Sequence, residues 1–141
     1  MNKSIVIALC LVSTQAMAQK INASKVPTAV KATFSQNFPS VKDMKWEKEK
    51  GNYEANFKDG VNKMSATFTP SGNLMETEKD IAINSLPANA AQYIKSHYSG
   101  ASIKEAAELT MPDGTTRYEA EVKGMDVIFD NTGTFMKTQK G

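Results

Sequence analysis

The stretch that decides the fold spans residues 118–135 and reads YEAEVKGMDVIFDNTGTF. Apolar and polar side chains alternate on both sides of Lys123 and Gly124, a pair that is typical of a tight hairpin turn. Such alternation is typical of antiparallel strands that bury one face and expose the other. Thr132 and Gly133 then predict a second turn, with glycine in the left-handed conformation. The stretch therefore predicts two antiparallel strands followed by a sharp turn.

The same pattern occurs earlier in the chain, where residues 53–72 read YEANFKDGVNKMSATFTPSG. The two copies are offset by 65 residues at Tyr53 and Tyr118, and by 61 residues at Gly72 and Gly133. The offset changes only where hairpin loops can absorb insertions, which predicts a duplicated supersecondary unit. We expect one repeat over residues 26–84 and a second over 86–141, the two forming one compact domain.

Each repeat is predicted to begin with a helix. Pro27 and Pro87 suit the first turn of a helix, where a missing N–H leaves no bond unmade. Apolar residues then recur at four-residue steps and form a stripe about three turns long. The stripe consists of Val30, Phe34 and Phe38 in the first repeat and of Ala90, Ile94 and Tyr98 in the second. The predicted fold class is α+β, with two tandem units that each pack a helix on a four-stranded antiparallel sheet.

The first strand of each unit is the one whose register differs between the copies. Met44 and Trp46 alternate with polar neighbours, whereas the aligned Ala106 and Glu108 leave Leu109 out of phase. This mismatch predicts a bulge or a one-residue shift between the two copies.

The end of the second copy resembles the pattern of the PepSY-like family. The shared features are a strand that begins with Tyr118, a glycine hairpin, a second alternating strand, and an Asp-x-x-Thr-Gly turn at Asp130 to Gly133. This resemblance implies a fold like that of the beta-lactamase inhibitor protein, in a small exported protein of Bacteroidetes-type bacteria. The shared features belong to turns and strands, so the resemblance supplies no catalytic residue.

The first eighteen residues have the features of an export signal. Lys3 provides a positive charge, residues 5–12 are apolar, and Ala16 and Ala18 form a cleavage site of the A-x-A type. Cys10 is the only cysteine and lies within this segment. The mature chain is therefore expected to be cysteine-free and periplasmic or secreted, with no membrane span after cleavage. Its charges of both signs are interspersed, which argues against a nucleic-acid partner.

Few residues suggest reaction chemistry. His97 is the only histidine, and the mature chain has neither a cysteine nor a Gly-x-Ser-x-Gly motif to supply a nucleophile. We interpret His97 as a structural residue at a helix C-terminus, where a cation is favourable. The sequence accordingly predicts no catalytic residue, no cofactor and no metal site, and the chain is predicted not to be an enzyme.

The polar face of the sheet is the candidate binding surface. Its expected contacts, together with one aromatic anchor, are Trp46, Asn52, Glu54, Asn56, Lys58, Arg117, Glu119 and Glu121. The alternation of Trp46 is typical of a core residue, but tryptophan is also a frequent anchor in interfaces. Glu119 and Glu121 share a strand face with Arg117, which suggests ion pairing across strands.

Two functions are compatible with these features. The first is an exported, non-enzymatic binding module, inhibitor-like or otherwise, that recognises an unidentified protein or peptide of the cell envelope through this face. The alternative is an envelope carrier of small ligands or a carboxylate-based enzyme, which would need a closed pocket lined by acids of perturbed pKa. The sequence does not indicate the oligomeric state.

Overall fold

A computed structural model describes residues 18–141 of the chain. The export signal predicted for residues 1–18 thus falls outside the described residues, except for Ala18. Within the described part, the elements follow one another as β1 (Gln19–Ile21), α1 (Thr28–Asn37), β2 (Met44–Glu49), β3 (Asn52–Asp59), β4 (Asn62–Phe68), β5 (Leu74–Ile81), α2 (Ala88–His97), β6 (Glu105–Thr110), β7 (Thr116–Val122), β8 (Met125–Phe129) and β9 (Phe135–Lys140). Neither helix has the length and apolar character that crossing a membrane requires.

All nine strands belong to one antiparallel sheet, in which each strand pairs with its neighbours in the sequence. Strand β5 of the first unit pairs directly with β6 of the second, so the two units share a continuous sheet. The predicted α+β class with two tandem helix-and-sheet units is confirmed. The short edge strand β1, which the sequence did not predict, pairs with β2 through Ile21 and Trp46.

The two helices cover the same face of the sheet. Ala66, which lies beneath α1, pairs with Thr77, and Thr77 pairs in turn with Thr110. Thr110 lies on the same face of β6 as Ala106, which pairs with Ala120 beneath α2. Burying apolar side chains between a helix and a sheet is the main source of stability for such a layered domain. The face that carries the helices is called the helix face below.

Each helix packs on its own apolar cluster. The cluster beneath α1 is aromatic, with Phe34 in contact with Trp46, Phe57 and Phe68 at ring-centroid distances of 5.5, 5.1 and 6.4 Å. The cluster beneath α2 contains smaller residues, namely Leu86, Ala90, Ile94, Ala106, Ala120, Val122, Val127 and Phe129. The alternation predicted for the central hairpins therefore matches the side chains that are buried.

The register of the first strand in the second unit corrects the prediction of a bulge. Strand β6 pairs with β5 and β7 without interruption, and the irregularities lie elsewhere, next to Phe68 and Phe129. Leu109 is out of phase because it points away from the helices, while Glu108 lies on the helix face and pairs with Lys79 at 3.2 Å. The out-of-phase apolar residue Leu109 therefore indicates burial on the second face of the sheet and not an irregular strand.

A glycine turn holds the start of each helix against the sheet. Gly72 has φ +90° and its α-carbon faces Ala29, while Gly133 has φ +83° and faces the first turn of α2. A side chain at Gly133 would lie 2.8 Å from the β-carbon of Pro87 and 3.0 Å from the backbone nitrogen of Ala90. The repeated glycine therefore serves helix docking in both units.

Gly133→Ala is expected to lower the free energy of unfolding by about 2 kcal/mol, because strain at positive φ adds to a steric clash. Gly124→Ala is the matched control, since Gly124 also has positive φ but has no neighbour within 4 Å of an added β-carbon. It should cost about 1 kcal/mol or less. Urea denaturation of both variants measures the difference, and equal losses would contradict the docking role of Gly133.

Candidate binding surface

The second face of the sheet carries no helix within residues 18–141, and we call it the open face. Strand register assigns to it every second residue of each strand, beginning with Lys45 in β2 and ending with Gln139 in β9. Its acidic residues are Glu47, Glu49, Glu54, Glu76, Glu78, Asp80, Glu105, Glu119, Glu121 and Asp126. Its basic residues are Lys20, Lys45, Lys58, Lys63, Arg117 and Lys137.

An apolar patch lies on the open face where the second unit begins. Ala107, Leu109 and Ile128 point to this face and are only 4%, 3% and 2% exposed. Because the face has no helix to cover them, neighbouring side chains of the twisted sheet must close over these residues. The open face therefore combines a small apolar floor with charged side chains around it.

Two glutamates beside this floor have strongly altered acidity. Burial raises the pKa of Glu119 to about 8, and the nearby charges of Glu78 and Asp126 add to the effect. Burial likewise raises the pKa of Glu78 to about 7, with the charges of Glu54 and Glu76 adding to it. Desolvation and repulsion between like charges both favour the protonated form of a carboxyl group. At neutral pH these two side chains are therefore protonated to a large extent.

The same causes act more weakly on two further acids of the open face. Burial raises the pKa of Glu54, and repulsion from Glu47 adds to it. Burial raises the pKa of Asp126, and repulsion from Glu121 adds to it. The acidic character of the open face thus extends over both units.

Ion pairs neutralise only a small part of this charge. Lys104 pairs with Glu121 at 3.1 Å and Lys50 with Glu49 at 3.8 Å. Within the described residues, neither Glu78 nor Glu119 has a cationic side chain within 4.0 Å. Of the ion pairing across strands that the sequence suggested, Glu121 does pair with Lys104, the residue before β6, whereas Arg117 forms no ion pair within the described residues.

A broad groove crosses one end of the open face. It has a volume of about 1140 Å³ and is open to solvent along its length. Its charged lining is mixed and consists of Asp43, Glu54, Glu78, Asp80, Glu105, Lys42, Lys45, Lys58 and Lys63. Its shape suits an elongated partner better than an enclosed small molecule.

The structure separates the residues predicted to bind a partner into two groups. Asn52, Glu54, Asn56, Lys58, Arg117, Glu119 and Glu121 lie on the open face, as expected from the alternation. Trp46 does not, because it is 4% exposed and packs beneath α1 against Phe34 and Phe68. Its role as an exposed anchor is therefore corrected to that of a core residue.

Sequence reasoning missed the acids of β5. Glu76, Glu78 and Asp80 alternate with Thr77 and Lys79, and this alternation was the available signal. Their importance follows from the position of β5 at the centre of the sheet, where charges of both units meet.

His97 lies on the helix side, away from the open face. Its ring stacks on Tyr93 with 3.8 Å between centroids, and Tyr93 in turn stacks on Phe135 at 4.6 Å. The Nδ1 atom of His97 lies 3.0 Å from the carbonyl oxygen of Tyr93. These contacts agree with the structural role that the sequence predicted for His97. In the described part of the chain, no group of three or more His, Cys, Asp or Glu side chains is arranged to hold a metal ion.

The family model described as "Putative beta-lactamase-inhibitor-like, PepSY-like" matches residues 12–64 and 51–137. The matched segments cover most of the chain, which therefore belongs to this PepSY-like family, as its turn and strand motifs predicted. A comparison with curated proteins found no match.

Solved structures from Bacteroides show the same fold. A BLIP-like protein from Bacteroides fragilis is 21% identical with a TM-score of 0.63, and the match covers 81% of this chain and 86% of that one. A DUF2874 family protein from Bacteroides uniformis is 16% identical with a TM-score of 0.68, over 81% and 88% of the two chains. A Bacteroides eggerthii protein described as periplasmic is 17% identical with a TM-score of 0.68, over 82% and 88%. That description agrees with the location predicted from the export signal.

Proposed function

We propose that this chain is an exported, non-enzymatic binding module that recognises a protein or peptide of the cell envelope through the open face. The observation that supports this best is a sheet face that carries no helix within residues 18–141 and on which the carboxyl groups of Glu78 and Glu119 lack ion pairs. A face of this kind offers a broad set of polar and charged contacts to a partner. An inhibitor-like mode, in which the partner is an enzyme, is one form of this function.

The family and its relatives support the proposal in part. The family description names an inhibitor-like kind of protein, which acts by binding. The periplasmic description of the Bacteroides eggerthii protein supports a partner in the periplasm or outside the cell. The predicted signal peptide supports the same compartment.

Site-specific photo-crosslinking in the native envelope tests this function. A photoreactive residue at Asn56, which lies on the open face, is expected to capture one defined partner. The same residue at Lys95, which is exposed on α2, is the control and should capture nothing above background. The proposal fails if Asn56, Ser65 and Lys137 all give no adduct, or if Lys95 gives the same adducts as they do.

The alternative function, a small-ligand carrier or a carboxylate-based enzyme, is favoured by one observation. Glu78 and Glu119 have pKa values of about 7 and 8, and carboxyl groups that hold a proton at neutral pH can act as general acids. Such a site also needs a pocket that excludes water, whereas the groove beside Glu78 is open. Isothermal titration with small cationic and sugar ligands tests it, and saturable binding that Glu119→Gln abolishes would favour it over the binding module.

A further inference from the structure

Charge is unevenly divided between the two faces of the sheet. Ten of the 15 acidic residues lie on the open face, against six of the 17 basic residues of the whole chain. The open face is therefore net negative although the chain as a whole has a charge of +2. Such a division creates a field that attracts cationic partners to one side of the molecule.

The cationic side chains of the open face do not pair with Glu78 or Glu119, which are called the central glutamates below. Arg117 shares a row of the sheet with Glu78, but Leu109 of β6 lies between them. The other cations occupy different strands, with Lys63 in β4 and Lys137 in β9. None of them is within 4.0 Å of Glu78 or Glu119. Carboxyl groups that lose hydration without gaining a cationic partner cost the fold stability, which points to a role outside folding.

Carboxyl groups lie on both sides of strand β6 at the centre of the open face. Ala107 lies directly opposite Glu119 across β6 and β7, and opposite Asp80 across β5 and β6. Because Ala107 bears only a methyl group and is 4% exposed, a partner would meet the carboxyl groups of Asp80 and Glu119 on either side of it.

We propose that the open face binds a segment of a protein that is rich in lysine or arginine, whose cationic side chains pair with Glu78 and Glu119. Neighbouring cations of the segment meet Glu54, Glu76 and Asp126. This inference rests on the proposed binding function of the open face and adds the chemistry of the partner. The net negative charge of the open face favours a cationic partner, and a sheet face without a covering helix accommodates an extended segment.

The acidity of the central glutamates gives this binding a distinctive pH dependence. A bound cation favours the ionised form of both carboxyl groups, so binding near neutral pH releases protons. Affinity should therefore rise as the pH increases from 6 to 8.5, a range in which lysine and arginine keep their charge. The other acidic groups on this part of the face are Glu54, Glu76, Asp80 and Asp126, and burial also raises the pKa values of Glu54 and Asp126. Arg117 is the basic group on the same strand as Glu119.

The test uses the mature chain and a fluorescent lysine homopeptide, with a glutamate homopeptide of equal length as the charge control. Fluorescence anisotropy at low salt should show lysine-peptide binding that is about tenfold tighter at pH 8.5 than at pH 6. The double variant Glu78→Gln/Glu119→Gln should lose about tenfold in affinity at pH 8.5 and most of its pH dependence. Glu108→Gln is the matched control, because Glu108 lies on the helix face of the adjacent strand, and it should bind like the unmodified protein.

The outcomes separate this inference from the proposed function. Equal binding of both homopeptides, or unchanged affinity in the double variant, overturns the cationic partner. If the Asn56 crosslink to the native partner also persists in the double variant, the binding function stands and only the inferred chemistry fails. If no open-face position gives a crosslink, the proposed function itself fails. Circular dichroism confirms that each variant is folded, which we expect because glutamine removes repulsion.

Discussion

Replacing Trp46 by alanine is expected to lower the free energy of unfolding by about 3–5 kcal/mol. Trp46 is 4% exposed, and its ring lies 5.5 Å from Phe34 and 6.3 Å from Phe68 between centroids. Truncation would remove the largest side chain of the first cluster and leave a cavity beneath α1. The loss should therefore appear in stability, since Trp46 contributes no exposed surface to a partner.

Urea denaturation followed by far-ultraviolet circular dichroism measures this effect. Fluorescence is unsuitable because Trp46 is the only tryptophan in the chain. Trp46→Phe is the control, because it keeps an aromatic ring against Phe34 and should cost much less than the alanine variant. A loss below about 1 kcal/mol for Trp46→Ala, combined with loss of the envelope partner, would instead restore Trp46 as a binding anchor.

Most of the fold could be predicted because its signals are local. The alternation of Tyr53, Ala55 and Phe57 determines which face of β3 is buried, and the glycine turns determine where the strands end. Strand β1 could not be predicted because its three residues are too few to show an alternation of apolar and polar side chains. Leu109 was misinterpreted because it is buried on the sheet face opposite the helices, and the alternation within one strand does not show how its neighbours in other strands cover it.

The candidate surface was only partly predictable, for a related reason. Alternation placed Glu54 and Glu119 on the polar face, and the structure confirms their positions. Their raised pKa values could not be predicted, because these arise first from burial in the assembled sheet and then from charges on other strands. Glu78 of β5 acts on Glu119 of β7 across strand β6, and this proximity exists only once the two units share one sheet. A pattern within one repeat cannot reveal an interaction between repeats.

The stability of the protein is expected to fall by about 3 kcal/mol as the pH rises from about 4.5 to about 9, because of Glu78 and Glu119. Their pKa values are raised from 4.5 to about 7 and about 8 in the folded chain. Between these values the folded state binds more protons than the unfolded state, so raising the pH favours unfolding. The stabilising contribution of the two protonated carboxyl groups is fully present below about pH 4.5 and is lost by about pH 9. The figure is smaller than the full shifts imply because solvent partly screens both side chains.

Chemical denaturation across this pH range measures how steeply the free energy of unfolding changes with pH. Two variants show which groups cause this change. The double variant Glu78→Gln/Glu119→Gln should be the more stable protein at pH 9 and should show a much flatter profile. Glu108→Gln, on the opposite face of the sheet, should keep the original slope. Asp113 and Asp130, whose pKa values are lowered by hydrogen bonds from Thr115 and Thr132, give the opposite slope, but only below about pH 4. A profile that rises from pH 5 to 8, or a double variant that keeps the slope, would show that these carboxyl groups are ionised in the folded protein. In that case Glu78 and Glu119 would carry their negative charges on the open face even without a bound partner.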